Sequence, residues 1–144
     1  MKKLFGYLDK YALHLALLQA WAATLGSLYF SEIKGLFPCQ FCWYQRILMY
    51  PLAILFAVAI YRKEKLIAPY VLPISLLGAV VAMYHYLIQW TALKEFNPVS
   101  CSLINDCSQK QVVYFGFATI PFFSFCAFVV ISVLMLYIIK SKKK

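Results

Sequence analysis

The segment FPCQFCWYQR, residues 37 to 46, places two cysteines three positions apart and a permanent cation four positions after the second. A Cys-x-x-Cys pair closes a very small disulfide ring, and such pairs typically exchange disulfides instead of bracing a fold. Cys42 begins an apolar helical run, where unpaired N–H groups and the helix dipole favour a thiolate. Arg46 follows one turn later on the same face. The spacing therefore predicts a nucleophilic sulfur beside a fixed positive charge.

A second cysteine pair, Cys101 and Cys107, follows the first after a separation of 58 residues. The residue types allow three interpretations of the two pairs: a zinc site, structural disulfides or a redox relay. The second pair has Cys-x5-Cys spacing, unlike the tight knuckles of zinc sites, so we expect no metal. Structural disulfides remain the open alternative. Cys126 lies in a strongly apolar run and is interpreted as a small buried hydrophobe.

The composition indicates the environment in which these cysteines act. The chain has 144 residues, of which 64% are hydrophobic and 13% charged, and its mean hydropathy is +0.76. Soluble domains are about a quarter charged, so the deficit indicates a chain solvated by lipid. A helix needs roughly 20 apolar residues to cross hydrocarbon, and these runs lack the alternation of a barrel strand. We predict a single-domain, all-α integral membrane protein with four transmembrane helices, at about residues 11–30, 43–61, 69–90 and 114–139.

The distribution of lysine and arginine predicts the orientation of this bundle. The two termini and the loop at residues 62–65 carry ten cations, whereas only three lysines lie in the loops at 31–42 and 91–113. By the positive-inside rule, both termini are cytoplasmic and those two loops are external. Both cysteine pairs then lie on the oxidising side, where disulfides persist. The net charge of +9 is thus a topology signal, and no nucleic-acid partner is expected.

One feature of the first span has a competing interpretation. The Ala-Trp-Ala at residues 20–22 could serve as a signal-peptidase site after an apolar run. The run continues well past this point, so we expect the segment to be retained as a transmembrane helix.

A dithiol that is oxidised repeatedly must pass two electrons to an acceptor. The sequence contains no haem attachment motif, no Rossmann glycine pattern and no iron–sulfur cysteine run. A quinone needs none of these motifs, because it arrives through the bilayer and requires a slot, a cation near its carbonyl and a thiolate. His85 and Gln89, four apart on the third span, are secondary candidates for its site, with interhelical hydrogen bonding as the alternative. For Arg46 the alternative is snorkelling to lipid phosphates.

PCQFCWYQR at the start of the second of four spans, with a second cysteine pair before the fourth, resembles the DsbB family, particularly its BdbC-like Gram-positive members. The segments GSLYFSEI, CWYQRILMYP and FGFATIPF resemble stretches of those members. The resemblance implies a thiol:quinone oxidoreductase of the bacterial cytoplasmic membrane. It would reoxidise an extracytoplasmic thioredoxin-fold dithiol oxidase of the DsbA/BdbD type. Its electrons would pass to menaquinone or ubiquinone, with menaquinone favoured.

The resemblance also implies a role for each matching residue. Cys42 would face the quinone, Arg46 would support the quinone, and Cys101 would meet the partner protein. Cys107 would then attack Cys39. In the best-known members a membrane-lying helix separates the loop cysteines, whereas here only five residues do. The alternative function is a small structural or partner-binding membrane protein whose external loops are stapled by disulfides.

Overall fold

Each of the four apolar runs forms one long helix in the computed structural model, which describes residues 2–64, 66–90, 112–114 and 116–142. All four helices are long and apolar enough to cross a membrane, so the predicted all-helical membrane bundle is confirmed. The helices are α1 (Lys2–Leu28), α2 (Gln40–Tyr61), α3 (Ala68–Trp90) and α4 (Ile120–Lys142).

Small and hydroxylated side chains allow the helices to approach closely. Gly78 of α3 lies against the ring of Phe128 on α4, and a Cβ atom at position 78 would overlap that ring. One turn earlier on α3, the Ser75 hydroxyl lies 2.9 Å from that of Ser132 on α4, and both serines are buried. Small residues and interhelical hydrogen bonds of this kind drive association in lipid, where hydrophobicity gives no preference for protein over acyl chains. On α1 the fully buried small residues are Ala12, Ala16 and Ala20.

The chain leaves α1 through a widened turn that shapes the outer end of the bundle. A π-helical segment, Tyr29–Ile33, continues α1. Gly35 then takes a left-handed conformation with φ of +64°, which glycine adopts without steric cost. The Leu36 amide donates to the Phe30 carbonyl at 3.1 Å, which folds the connection back toward α2. This connection brings Cys39 to the first turn of α2.

Three helices begin several residues away from the predicted start of their span, and α1 begins at Lys2 instead of residue 11. The second span is predicted from residue 43, but α2 begins at Gln40 because Cys39, in an extended conformation, acts as its N-cap. The fourth span is predicted from residue 114, but α4 begins at Ile120. The preceding residues form a small antiparallel hairpin of β1 (Val113–Tyr114) and β2 (Ala118–Thr119). Its turn contains a glycine with φ of +80°, a conformation that a helix cannot contain.

Candidate redox site

The Cys39 and Cys42 side chains meet at the amino end of α2. Because Cys39 is the N-cap and Cys42 lies in the first turn, both side chains lie over the same end of the helix. Their Sγ atoms are 3.1 Å apart. Cys39 is only 5% exposed, and Cys42 is half-buried. The spacing that suggests an exchangeable pair in the sequence thus places two sulfurs within direct reach of one another.

The two sulfurs are not equivalent. A hydrogen bond to Cys42, together with burial, raises the pKa of Cys39 to about 12, although His85 acts in the opposite direction. Cys39 therefore keeps its proton at neutral pH and donates it to the Cys42 sulfur. Since a donated hydrogen bond favours an anion at the acceptor, the negative charge of the reduced pair is stabilised on Cys42. That Cys42 is the nucleophilic sulfur stays a prediction.

The Arg46 guanidinium is hydrogen-bonded to the last turn of α1. Its Nε donates to the Ser27 hydroxyl at 2.8 Å, and its Nη2 donates to the Ser27 carbonyl at 3.0 Å. The guanidinium carbon also lies 5.5 Å from the ring centroid of Trp43, within the range of a cation–π contact. Within the described ranges, no carboxylate lies close enough to Arg46 to form an ion pair. Among the residues that the structure describes, the charge is thus held in place without a carboxylate partner.

A cavity of about 550 Å³ lies between α1, α2 and α4, next to these residues. Its walls are mostly apolar, and its volume lies in the usual range for sites that bind organic cofactors. Cys42 and Arg46 both line the cavity. Cys126 of α4 lines it too, so this thiol is a wall residue and is not fully enclosed by the helix packing. The other polar lining residues are Gln19, Ser27, Ser31, Gln45, Tyr50 and Ser124.

His85 lies behind the cysteine pair and does not line this cavity. Its Nε2 atom is 3.5 Å from the Cys39 sulfur, and its Nδ1 atom is 3.2 Å from the amide nitrogen of Gln45. The imidazole is 1% exposed and packs against the ring of Phe41, with centroids 5.4 Å apart. Gln89, one turn further along α3, is also buried. The structure thus brings His85 to the cysteines, on the side of α2 that faces α3.

Two residues of this site have no assigned role in the sequence analysis. Gln45 connects His85 to the cavity, because it contacts the imidazole and also lines the cavity wall. Ser27 anchors the arginine through its hydroxyl and its carbonyl. A buried amide in a transmembrane helix is itself a signal, since polar groups are costly in lipid. By contrast, spacing along the sequence does not show that Ser27 on α1 pairs with Arg46 on α2.

The cysteine pair and His85 also form a possible ligand set for a metal ion. The two Sγ atoms and a ring nitrogen of His85 lie within 4.8 Å of one another. Structural zinc sites use four protein ligands, and this group offers three. The spacing of the cysteines alone, on which the prediction of no metal depends, gives no information about the histidine.

The second cysteine pair lies outside the described residues. Cys101 and Cys107 fall between α3 and the hairpin that precedes α4. The last described residue of α3, Trp90, and the hairpin before α4 lie at the end of the bundle that carries Cys39.

Comparison with known proteins places this site in a family. The profile of the family described as "Disulfide bond formation protein DsbB" matches residues 9–138. The chain belongs to the DsbB family. The family match includes most or all of each of the four membrane helices and the cysteine pair of the candidate site. The protein is therefore a multi-pass membrane protein of disulfide formation, and the family implies a disulfide-generating oxidoreductase.

Named DsbB-family relatives are similar over most of their length. The chain is 43% identical to "Probable disulfide formation protein C 1" of Bacillus anthracis over 93% of this chain and 96% of that protein. It is 43% identical to "Disulfide bond formation protein C" of Bacillus subtilis, over 81% and 83% of the two chains. A "Probable disulfide formation protein" of Coxiella burnetii is 39% identical over 89% and 87%. No solved structure matches the chain.

Proposed function

We propose that this protein is a thiol:quinone oxidoreductase. It reoxidises an extracytoplasmic thioredoxin-fold dithiol oxidase of the DsbA/BdbD type and passes the two electrons to a membrane quinone. The observation that supports this function best is that Cys42 and Arg46 share the wall of one largely apolar cavity. A thiol that can reach its neighbour for disulfide exchange, and that also faces a largely apolar cavity, would connect thiol chemistry to a lipid-soluble acceptor.

The cavity is suited to a quinone headgroup. A guanidinium has five N–H donors, and Ser27 receives bonds from only two of its nitrogens, so donors remain for a carbonyl oxygen. The apolar walls accept a planar ring, and Cys42 provides the electron-rich sulfur. A bound quinone would supply an acceptor for two electrons and two protons. Arg46 would orient it and stabilise the negative charge that develops on its oxygen. Menaquinone is our first choice.

The proposed relay moves two electrons inward from the external loop and passes the disulfide outward to the partner. A thiolate of the reduced partner attacks the Cys101–Cys107 disulfide at Cys101, and Cys107 is released as a thiolate. Cys107 then attacks Cys39, and the electron pair of the broken Cys39–Cys42 bond remains on Cys42. The second thiol of the partner attacks the partner–Cys101 bond, so the partner leaves with its disulfide, and the freed Cys101 thiolate attacks Cys107 and releases Cys39. The Cys39–Cys42 disulfide would form again as its two electrons pass to the quinone. Cys42 lines the cavity and Cys39 is not among the lining residues, which supports the assignment of Cys42 as the quinone-facing sulfur. The positive-inside distribution of charge supports an extracytoplasmic location for all four cysteines.

The test is quinone reduction by the purified protein. The protein in detergent is mixed with a reduced thioredoxin-fold dithiol protein and a menaquinone analogue, and the quinone absorbance is followed. We expect quinone to be consumed in proportion to disulfide formed in the partner, and we expect the Cys42→Ser variant to consume none. If the wild-type disulfides stay fixed while quinone is unchanged, the protein is a stapled structural bundle and the proposal is wrong.

A further inference from the structure

Three groups behind the quinone-facing sulfur form a continuous line of hydrogen-bond contacts. Gln45 lies 3.2 Å from Nδ1 of His85, and Nε2 of His85 lies 3.5 Å from the Cys39 sulfur. The Cys39 sulfur in turn lies 3.1 Å from that of Cys42. Gln45 and Cys42 are three positions apart on α2, so the line leaves this helix, passes through α3 and returns to its first turn.

The identity of the Gln45 atom sets the direction of the two bonds that His85 makes. The group of Gln45 that faces His85 is the amide nitrogen, which can only donate, so Nδ1 of His85 accepts. A neutral imidazole that accepts at Nδ1 carries its proton on Nε2, and Nε2 faces the Cys39 sulfur. Cys39 donates its own proton to Cys42. Every donor therefore points toward the Cys42 sulfur.

We infer that Gln45 is a positioning residue that selects the Nε2–H tautomer of His85 and so completes a one-way donor chain, Gln45 to His85 to Cys39, that ends on the Cys42 thiolate. Donors linked head to tail polarise one another, and the effect is larger in a water-poor interior. The chain is well enclosed, since Gln45, His85 and Cys39 are 6%, 1% and 5% exposed. The inference depends on the proposed function only in treating Cys42 as the sulfur that delivers electrons.

The burial of Gln45 supports a role beyond the cavity wall. An amide costs free energy in a membrane interior unless its hydrogen bonds are satisfied. The contact with His85 satisfies one of them, and it also prevents the imidazole from rotating away from Cys39. Phe41 supports the ring from its face, with centroids 5.4 Å apart. Packing against Phe41 fixes where the ring lies, and the Gln45 donor favours the tautomer that holds the proton on Nε2.

The tautomer is measurable in the wild-type protein without quinone or partner. The ¹⁵N chemical shifts of histidine side chains separate a protonated ring nitrogen from an unprotonated one. His14 and His85 are the two histidines of the chain, and a His14→Gln sample assigns the signals. We expect His85 of the fully reduced protein at neutral pH to be protonated on Nε2 and bare on Nδ1. A signal from the Nδ1–H tautomer would overturn the inference, whether or not any variant folds.

A variant measures the consequence for the sulfur. Gln45→Met keeps the side-chain length and removes the donor. We expect Cys42 of the reduced variant to be alkylated about threefold more slowly at pH 7, the size of effect expected for one lost neutral hydrogen bond that acts through the imidazole. Mass spectrometry of peptides resolves each cysteine, and Cys126 in the same cavity serves as an internal reference whose rate stays constant. Gln40→Met is the matched control, because Gln40 is exposed and bonds to Tyr44.

A double variant separates positioning from a direct effect of Gln45. If Gln45 acts through the imidazole, Gln45→Met slows alkylation no further in a His85→Ala background. Additive losses would show that Gln45 acts on Cys42 independently of His85, and would overturn the inference. These measurements contain no quinone, so they succeed or fail independently of the quinone assay. A protein that reduces no quinone but shows the Nε2–H tautomer and the non-additive loss would refute the proposed function alone.

Discussion

Replacing Arg46 by methionine tests the link between the arginine and electron transfer to the quinone. The change removes the two hydrogen bonds that Arg46 donates to Ser27, at 2.8 and 3.0 Å. It also removes the positive charge from the cavity wall. A charge-assisted hydrogen bond contributes about 1.5–3 kcal/mol, so losing one to a quinone oxygen lowers kcat/KM for quinone about 10- to 150-fold. We expect this loss in electron transfer to the quinone and not in disulfide exchange with the partner.

The assay separates the two halves of the reaction. Quinone absorbance reports turnover, while a non-reducing gel reports whether Cys101 still forms a mixed disulfide with the partner. We expect Arg46→Met to lose turnover and to keep the mixed disulfide. Arg62→Met is the matched control, because Arg62 lies at the other end of α2 and its contact with Glu64, at 3.9 Å, is exposed. Quinone turnover by Arg46→Met at the level of the Arg62 control would refute the role of Arg46.

Three further perturbations test other parts of the site and the bundle. Ser27→Ala removes one of two bonds to Arg46, so we expect quinone turnover to fall about fivefold, the effect of about 1 kcal/mol, and an unchanged rate would show that the carbonyl alone positions the arginine. Cys107→Ser should accumulate a covalent complex with the partner through Cys101, and its absence on a non-reducing gel would contradict the assignment of Cys101. Gly78→Ala should destabilise the bundle by about 1–3 kcal/mol through overlap with Phe128, measured by thermal unfolding in detergent. A Phe128→Leu background should recover part of that loss, and an equal loss in both backgrounds would exclude the overlap as its cause.

The features that the sequence predicts best are those that depend on length, composition and spacing along one helix. Four apolar runs are enough to predict four helices, since lipid permits few other structures. Cys39, Cys42 and Arg46 share one helix, so their spacing alone predicts that they lie close together. The start of α4 was harder to predict, because residues 113–119 are apolar enough to continue a helix and yet form a hairpin around a glycine turn.

Contacts between helices account for what sequence reasoning missed. The third span contributes His85, and its position four residues before Gln89 suggests a shared polar face but does not say which helix that face meets. The structure directs His85 to Cys39 and Gln45, away from the cavity that Arg46 lines. The hydrogen bond that Arg46 donates to Ser27 likewise joins residues 19 positions apart on different helices. Spacing rules describe a single helix, and the rotation of one helix against another is set by packing.

The second helix separates two environments. On one side of α2, α1 and α4 complete the apolar cavity. On the other side, α3 contributes His85, whose imidazole contacts the Cys39 sulfur. Substitutions on α1 or α4 can therefore alter which lipophilic acceptor fits while leaving the thiol tuning intact. If the cavity holds the electron acceptor, substitutions at its lining residues on α1 and α4 are the place to begin when a protein with a different acceptor is designed.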